Sequence, residues 1–343
     1  MANGFRVLIV TPSYLPDITG NAVTAHRLYK GLRDRGIEVQ VQCRGGVTPP
    51  LQFRPDIIHA LHALKGGVPA MEMAERLDVP FVVTITGTDL NIDLLQSENL
   101  EILKVLDKAA RIVTYSPLSK ERLSSRLPVV SRKITVIGPS VEIARQKGGI
   151  SSLPSGFNFL LPSGIRKVKG PAFAIRPLEA LRSEFPSIKL TIVGPLIDDA
   201  EWKNLSDAMG GKEWISYMKV THEEMPDIYD SAAVVLNTSV SEGLSNAILE
   251  AMSLGKAVLA SDCEGNRAVI SDGLDGILYK QGDEADFLRK AKRLVLDLEF
   301  RERLGRAARE KVAIEFSRDA EIDGHLRLYG EVLEHERKRG AIF

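Results

Sequence analysis

The sequence predicts an α/β protein made of two Rossmann-like halves. Short apolar, β-branched runs alternate with longer amphipathic ones, the pattern of parallel sheets with crossover helices. The alternation occurs twice, on either side of a stretch over 141–156 that carries paired glycines, serines and a proline and has no clear periodicity. With 343 residues, 44% of them hydrophobic, the chain can build two domains of ordinary size with sizeable cores.

The first half opens with the strand pattern Phe5-Arg-Val-Leu-Ile-Val-Thr-Pro12, then a glycine-containing loop and a helix over 21–35 stopped by Gly36. Strands follow over 39–42, 57–60, 81–85, 112–115 and 134–137. The second half repeats the pattern, with strands over 157–161, 190–193, 214–218, 233–236 and 257–260. From about residue 287 the chain reads as helical, and 319–336 forms a last candidate helix. The expected organisation is an N-terminal Rossmann-like domain over 1–140, a linker over 141–156, a second Rossmann-like domain over 157–318 and a C-terminal helix over 319–343.

Composition narrows the function. Formal net charge is zero, which argues against a nucleic-acid binder, since those carry a clear basic excess. Residues 1–140 hold 17 Lys and Arg against 13 Asp and Glu, a mild excess that reads as ordinary solvated surface or as a site for an anionic acceptor or membrane surface. Cys43 and Cys263 are too few and too scattered for a disulfide framework or a zinc site, which suits a reducing cytoplasm. No basic-then-apolar leader precedes Phe5, and no apolar run approaches the roughly 20 residues that span a bilayer, so a soluble, cytoplasmic protein is expected.

Ligands of open parallel sheets bind beyond the carboxyl ends of the strands, so the loops after each strand hold the candidate residues. The most informative is Ser241-Glu-Gly-Leu-Ser-Asn-Ala-Ile-Leu-Glu-Ala-Met252. It follows the buried-strand pattern over 233–237, and Ser245 or Asn246 can cap a helix ending near Gly255. Gly243 lets the loop backbone approach a ligand, and the first amides of the helix carry a partial positive charge suited to a phosphate. Glu242 stays in the loop while Glu250 lies inside the helix, so the two can flank one ligand; the plain alternative is a helix start with an exposed glutamate.

A second loop, Ser163-Gly-Ile-Arg-Lys-Val-Lys-Gly170, places Arg166 and Lys169 after the first strand of the second half. Arginine as a fork and lysine as a point charge can grip a diphosphate. In the first half, Thr19-Gly20-Asn21 follows the opening strand, with Asn21 as a helix cap in the plain reading. Thr84-Ile-Thr-Gly-Thr-Asp89 follows another strand, with Asp89 as an acceptor-side carboxylate or a helix cap. His59 and His62 end a third, His62 being a candidate acceptor-side contact.

In this order the pieces resemble the donor site of retaining, nucleotide-sugar-dependent glycosyltransferases of family four, which have the two-domain GT-B fold. The combination of Thr19-Gly-Asn-Ala-Val-Thr-Ala25, Gly87-Thr-Asp89 and the glutamate segment is similar to the subgroup of glycosyltransferase 1 domain-containing proteins. The resemblance implies an active site in a cleft between the domains and a last helix that returns to the first domain. It implies that Glu242 lies beside the donor sugar, that Glu250 holds the ribose hydroxyls and that the backbone of Gly243, Leu244 and Ser245 faces the diphosphate. Arg166 and Lys169 match the family's phosphate-facing cations, Gly20 matches the first of two glycines in the opening loop, and the loop at Gly194 borders the nucleobase. Two positions depart from the pattern: Thr86 stands where many members carry a histidine near the donor sugar, and Ala268 where many carry a glutamate.

The implied activity is a retaining, hexosyl-type transfer from a UDP-, GDP- or ADP-sugar to a sugar, lipid or other hydroxyl acceptor. The departing diphosphate takes the acceptor's proton, and neither a metal nor a cofactor beyond the nucleotide sugar is expected. A dinucleotide-dependent oxidoreductase is excluded because neither opening strand runs into Gly-x-Gly-x-x-Gly. The rival that stays open is a nucleotide-sugar-binding regulatory protein with the same fold and little transferase activity.

Overall fold

In the computed structural model the described residues are 4–17, 19–43, 50–86, 89, 100–141 and 156–340. Most of the expected linker, and Gly87 and Thr88 of the 87–89 motif, lie outside them. The chain divides into two compact units, Met1–Ser140 with Phe316–Phe343, and Val141–Glu315.

Unit 1 begins with β1 (Arg6–Thr11), α1 (Gly20–Asp34), β2 (Glu38–Cys43), β3 (Ile57–Leu61), α2 (Gly67–Leu77) and β4 (Phe81–Thr84). It continues with α3 (Leu100–Lys108), β5 (Arg111–Thr114), α4 (Pro117–Arg126) and β6 (Ile134–Val136). The strands pair in parallel in the order β2-β1-β3-β4-β5-β6. A parallel sheet covered on both faces needs apolar side chains pointing both ways, which is why β1 reads as a continuous apolar run. Leu8 and Val10 pack with Ala70, Val105 and Leu123 of α2, α3 and α4 on one face, while Val7 and Ile9 pack with Leu28 and Leu32 of α1 on the other. The cap of α1 is the Thr19 hydroxyl, which accepts from the Ala22 amide. Asn21 is therefore not the cap: it lies inside the first turn, beside Gly20.

Unit 2 begins with β7 (Phe157–Pro162), α5 (Ile175–Arg182), β8 (Ile188–Val193), α6 (Asp199–Met209), β9 (Ile215–Met218) and α7 (Met225–Asp230). Then come β10 (Val234–Asn237), α8 (Asn246–Ser253), β11 (Ala257–Ser261), α9 (Glu264–Arg267), β12 (Ile277–Tyr279), α10 (Glu284–Leu296) and α11 (Leu298–Glu315). Its parallel sheet has the order β12-β11-β10-β7-β8-β9, so β7 and β10 are neighbours with their carboxyl ends side by side. The core joins Phe159, Leu190 and Leu259 of the sheet to Leu178 of α5, Phe287 of α10 and Leu304 of α11. Strand β12 is not among the strands read from sequence; three residues between Gly276 and Lys280 are too few to show a period.

The last helix, α12 (Arg318–Gly340), belongs to unit 1. Its Ile322, Leu328, Tyr329 and Val332 enter the core formed by α1, β1 and β3, and Leu326 and Leu333 pack at its edge. Burying this helix brings polar groups with it: Glu321 and Tyr329 find partners, while the buried His325 Nδ1 has none among the described residues. Arg27 of α1 forms a bidentate pair with Glu321, at 2.8 and 3.0 Å, and the Ser140 hydroxyl donates to the same carboxylate at 2.5 Å. His59 lies between the Tyr329 hydroxyl, at 2.6 Å, and the Thr84 hydroxyl, at 2.7 Å. Burial, with the nearby His325 imidazole, holds His59 well below its ordinary pKa.

Candidate active site

Two strand-end loops of unit 2 meet at the carboxyl edge of its sheet. The Val240 amide donates to the Val168 carbonyl at 2.8 Å, and the Thr238 hydroxyl to the Lys169 carbonyl at 2.9 Å. Gly170, at φ 52°, makes the left-handed turn that closes the first loop. These contacts bring the cations of the 163–170 loop to the carboxylate of the 238–245 loop.

Glu242 is the centre of that meeting. Its Oε1 accepts from Lys169 Nζ at 2.5 Å, from the Ser239 hydroxyl at 2.6 Å and from the Asn237 amide at 3.2 Å. Burial alone would push the carboxyl up, but the Lys169 charge and the hydrogen bonds from Lys169, Ser239 and Asn237 outweigh it and hold the group below the usual carboxylate range. Glu242 is thus an ionised, fixed charge. The two cations differ: Lys169 pairs with Glu242, whereas Arg166 has a buried Nε with no hydrogen-bond partner among the described residues. A buried guanidinium nitrogen without an acceptor is costly unless an anion supplies one.

Ser245 occupies the cap position of α8, yet its hydroxyl caps no amide of the helix. It receives the Asn237 side-chain amide at 3.3 Å instead. Gly243 and Leu244 lie half-buried in the loop just ahead of it. Glu250 is half-buried inside α8, and its Oε2 accepts from the Tyr229 hydroxyl at 2.9 Å. Gly194 is required by close approach, since a Cβ there would lie 2.2 Å from the Ser163 carbonyl oxygen; its own carbonyl accepts from the Tyr217 hydroxyl at 2.9 Å.

In unit 1 the structure groups His62, Thr86 and Asp89. The Asp89 carboxylate accepts from the Ala63 amide at 2.8 Å and the Thr86 amide at 2.9 Å, and lies 4.0 Å from His62 Nδ1. His62 and Asp89 are each only 1% exposed. Asp89 acts here as a buried tie between strand-end loops, and His62 holds a left-handed backbone at φ 74°, uncommon for a residue with a side chain. Gly20 and Asn21 open α1, which follows β1.

Asn237 and Tyr229 were not picked out from sequence, and Ser239 and Asn266 were given no role of their own. Asn237 ends a strand pattern, Asn266 sits in a loop and Tyr229 lies in the short mixed segment Met225-Pro-Asp-Ile-Tyr-Asp230; only tertiary contact reveals their polar partners.

Two parallel-sheet Rossmann-like units, the second carrying a cation loop joined to a carboxylate loop, define the GT-B class. Residues 152–311 match the family of glycosyl transferases group 1, and residues 51–145 match Glycosyltransferase Family 4. With both units matched, over more than half of the chain in all, the protein belongs to the GT-B glycosyltransferases of this group 1 and family 4 type. It is 27% identical over 263 residues to the glycosyltransferase 1 domain-containing protein 1 of Xenopus tropicalis, covering 73% of this chain and 76% of that one. It is 29% identical over 282 residues to the D-inositol 3-phosphate glycosyltransferase of Paenarthrobacter aurescens, covering 75% and 68%. Its fold matches Anabaena HepE, solved with UDP and glucose, at a TM-score of 0.77 and 15% identity, over 95% of this chain and 99% of that one. It also matches the sucrose-phosphate synthase of Thermosynechococcus elongatus at a TM-score of 0.80 and 17% identity, over 96% and 99%.

Proposed function

We propose that the protein is a retaining glycosyltransferase that moves a hexosyl group from a nucleotide diphosphate sugar to a hydroxyl acceptor without a metal. The observation that carries this reading is the junction of the two loops, where an ionised Glu242 is fixed beside Lys169 and Arg166 presents a buried nitrogen with no acceptor among the described residues. A diphosphate on Arg166 and the first amides of α8 gains charge as the glycosidic bond breaks, and preorganised donors stabilise that charge. Glu242 then faces the sugar and its developing positive charge, Glu250 holds the ribose, and the departing diphosphate takes the acceptor's proton.

HepE and the inositol-phosphate relatives make UDP-glucose the first donor to try and an inositol phosphate the first acceptor. The test is a thermal-shift panel of UDP-, GDP- and ADP-sugars, followed by transfer with the donor that raises the melting temperature and NMR of the product's anomeric configuration. Inversion, or transfer that stops with excess chelator, contradicts the mechanism. Thr86 and Ala268, where the family resemblance places a histidine and a glutamate, favour the regulatory alternative, which predicts donor binding with no turnover.

Membrane contact through unit 1 is part of the same proposal. Residues 100–133 hold eight Lys and Arg against three Asp and Glu, and expose Leu100, Leu103, Leu118 and Val129. Cosedimentation with anionic but not zwitterionic vesicles is the expected result.

A further inference from the structure

Behind Glu242 lies a set of buried polar groups whose directions are fixed by one another. The side-chain amide of Asn266, on α9, donates to Asn237 Oδ1 at 3.0 Å and to the Ser261 carbonyl at 2.9 Å. The Ser239 backbone amide also donates to Asn237 Oδ1, at 3.1 Å. With two donors on its oxygen, Asn237 has one satisfactory orientation, and its nitrogen must face the other way. That nitrogen donates to Glu242 Oε1 and to Ser245 Oγ. A flipped amide would set oxygen against the Glu242 carboxylate and N–H against the Ser239 and Asn266 N–H groups.

Two consequences follow from one side chain. Asn237 fixes the rotamer of the carboxylate assigned to the donor sugar, and it engages the Ser245 hydroxyl, which makes no cap hydrogen bond to α8. The support extends one layer further back. A Cβ on Gly265 would lie 2.5 Å from the Glu242 carbonyl oxygen, so α9 touches the Glu242 backbone while its neighbour Asn266 orients Asn237. Asn266 is fully buried, and its Oδ1 has no partner among the described residues. An unpaired buried acceptor destabilises a fold, and an apolar side chain of similar size would remove it. The amide nitrogen is what such a replacement would lose.

We propose that Asn237 is the positioning residue of the donor site, coupling the Glu242 carboxylate to the phosphate-facing end of α8, with Asn266 setting its direction. The inference rests on the reading of unit 2 as a nucleotide-sugar site. It does not make Asn237 a catalytic residue, because its contacts are to Glu242, Ser245, Ser239 and Asn266 and not to a reacting atom.

The test compares Asn237→Asp and Asn266→Leu with the parent protein, measuring UDP binding by calorimetry, UDP-glucose turnover as nucleotide release, and melting temperature. The aspartate variant keeps the shape but replaces the donor nitrogen with oxygen. Among the described residues, the titratable group that meets Asn237 is Glu242, which is paired with Lys169 from the loop after β7 and acts on the Cys263 thiol ahead of α9. At about pH 8 the introduced carboxylate repels Glu242, and kcat should fall by about tenfold or more. As the pH is lowered toward about 5 the introduced group, raised by burial and by the Glu242 carboxylate, takes a proton and its single O–H can donate to Glu242, so the deficit relative to the parent should shrink at least about threefold. A merely structural role predicts no such recovery. For Asn266→Leu the expected result is a melting temperature no lower than the parent's, with kcat reduced by about tenfold.

Parent-like turnover of both variants at every pH, with UDP binding intact, overturns the positioning role and leaves the donor-site reading standing. A parent protein that binds neither UDP, GDP nor ADP, nor their sugars, overturns both.

Discussion

Lys169 Nζ lies 2.5 Å from Glu242 Oε1, across 73 residues of sequence, so a cation expected to face a diphosphate and a carboxylate expected to face a sugar are one ion pair. The pair keeps Glu242 ionised in a buried place and leaves Arg166 as the cation of the loop whose buried donor has no acceptor among the described residues.

Lys169→Ala therefore does more than delete a phosphate contact. It strands a buried carboxylate, which should cost about 3 kcal/mol of stability at neutral pH. In the parent, Glu242 is held below its ordinary value, so its contribution is present above about pH 4.3 and is lost as pH falls through the depressed value. In the variant burial acts without the lysine and raises the carboxyl. The stability gap between parent and variant should be widest near neutrality and narrow toward about pH 4 as Glu242 takes a proton. Melting temperatures across that range check it, and a gap that widens on acidification contradicts it.

Glu250→Gln should weaken UDP-sugar binding by about 1.5–3 kcal/mol with little change in the chemical step, because a ribose clasp acts alike on ground and transition states. Tyr229→Phe removes the hydroxyl that meets Glu250 and should have a smaller effect in the same direction, about 0.5–1.5 kcal/mol. Unchanged donor affinity of the Glu250 variant by calorimetry would show that the ribose lies elsewhere.

Secondary structure was largely legible because buried parallel strands read as apolar runs. Gly276 to Lys280 and the cap of α1 show where that reading weakens. Strand β3 was recognisable from Ile57 and Ile58 although it carries His59, whereas β12 was too short to stand out from its loops. At the head of α1, Thr19 and Asn21 are both ordinary cap residues, and only the backbone geometry selects Thr19. The site was legible as charges on strand-end loops. Its wiring was not, since nothing local to Asn237 or Asn266 distinguishes a loop amide facing water from one facing Glu242.

The buried pair of Arg27 and Glu321 should behave as a unit. Arg27→Met leaves the Glu321 carboxylate without its charge partner and should destabilise unit 1 by about 3–5 kcal/mol, while Arg27→Met with Glu321→Met should recover most of that loss. A double variant as unstable as the single one, in denaturant titration, contradicts the pairing. Removing residues 319–343 should lower the melting temperature, since it takes Tyr329 and Val332 from the core.

Acid should loosen the same helix. Burial pushes His325 down to about 4, so this group binds a proton more readily unfolded than folded. Its contribution is complete above the ordinary histidine value of about 6.5 and is lost as pH falls from there toward the folded value, at up to about 1.4 kcal/mol per pH unit. His325→Phe should flatten the fall in melting temperature over that window; an unchanged slope would assign the loss to another group.

The most direct measurement of the central claim is turnover of a saturating nucleotide sugar by Arg166→Ala and by the parent, each with excess chelator. If the Arg166 guanidinium meets the charge that develops on the leaving diphosphate, the parent keeps its rate in chelator and the variant loses about a hundred- to a thousandfold in kcat. Parental activity abolished by chelator and restored by magnesium or manganese, with Arg166→Ala near the parental rate, would assign that charge to a metal and contradict the account.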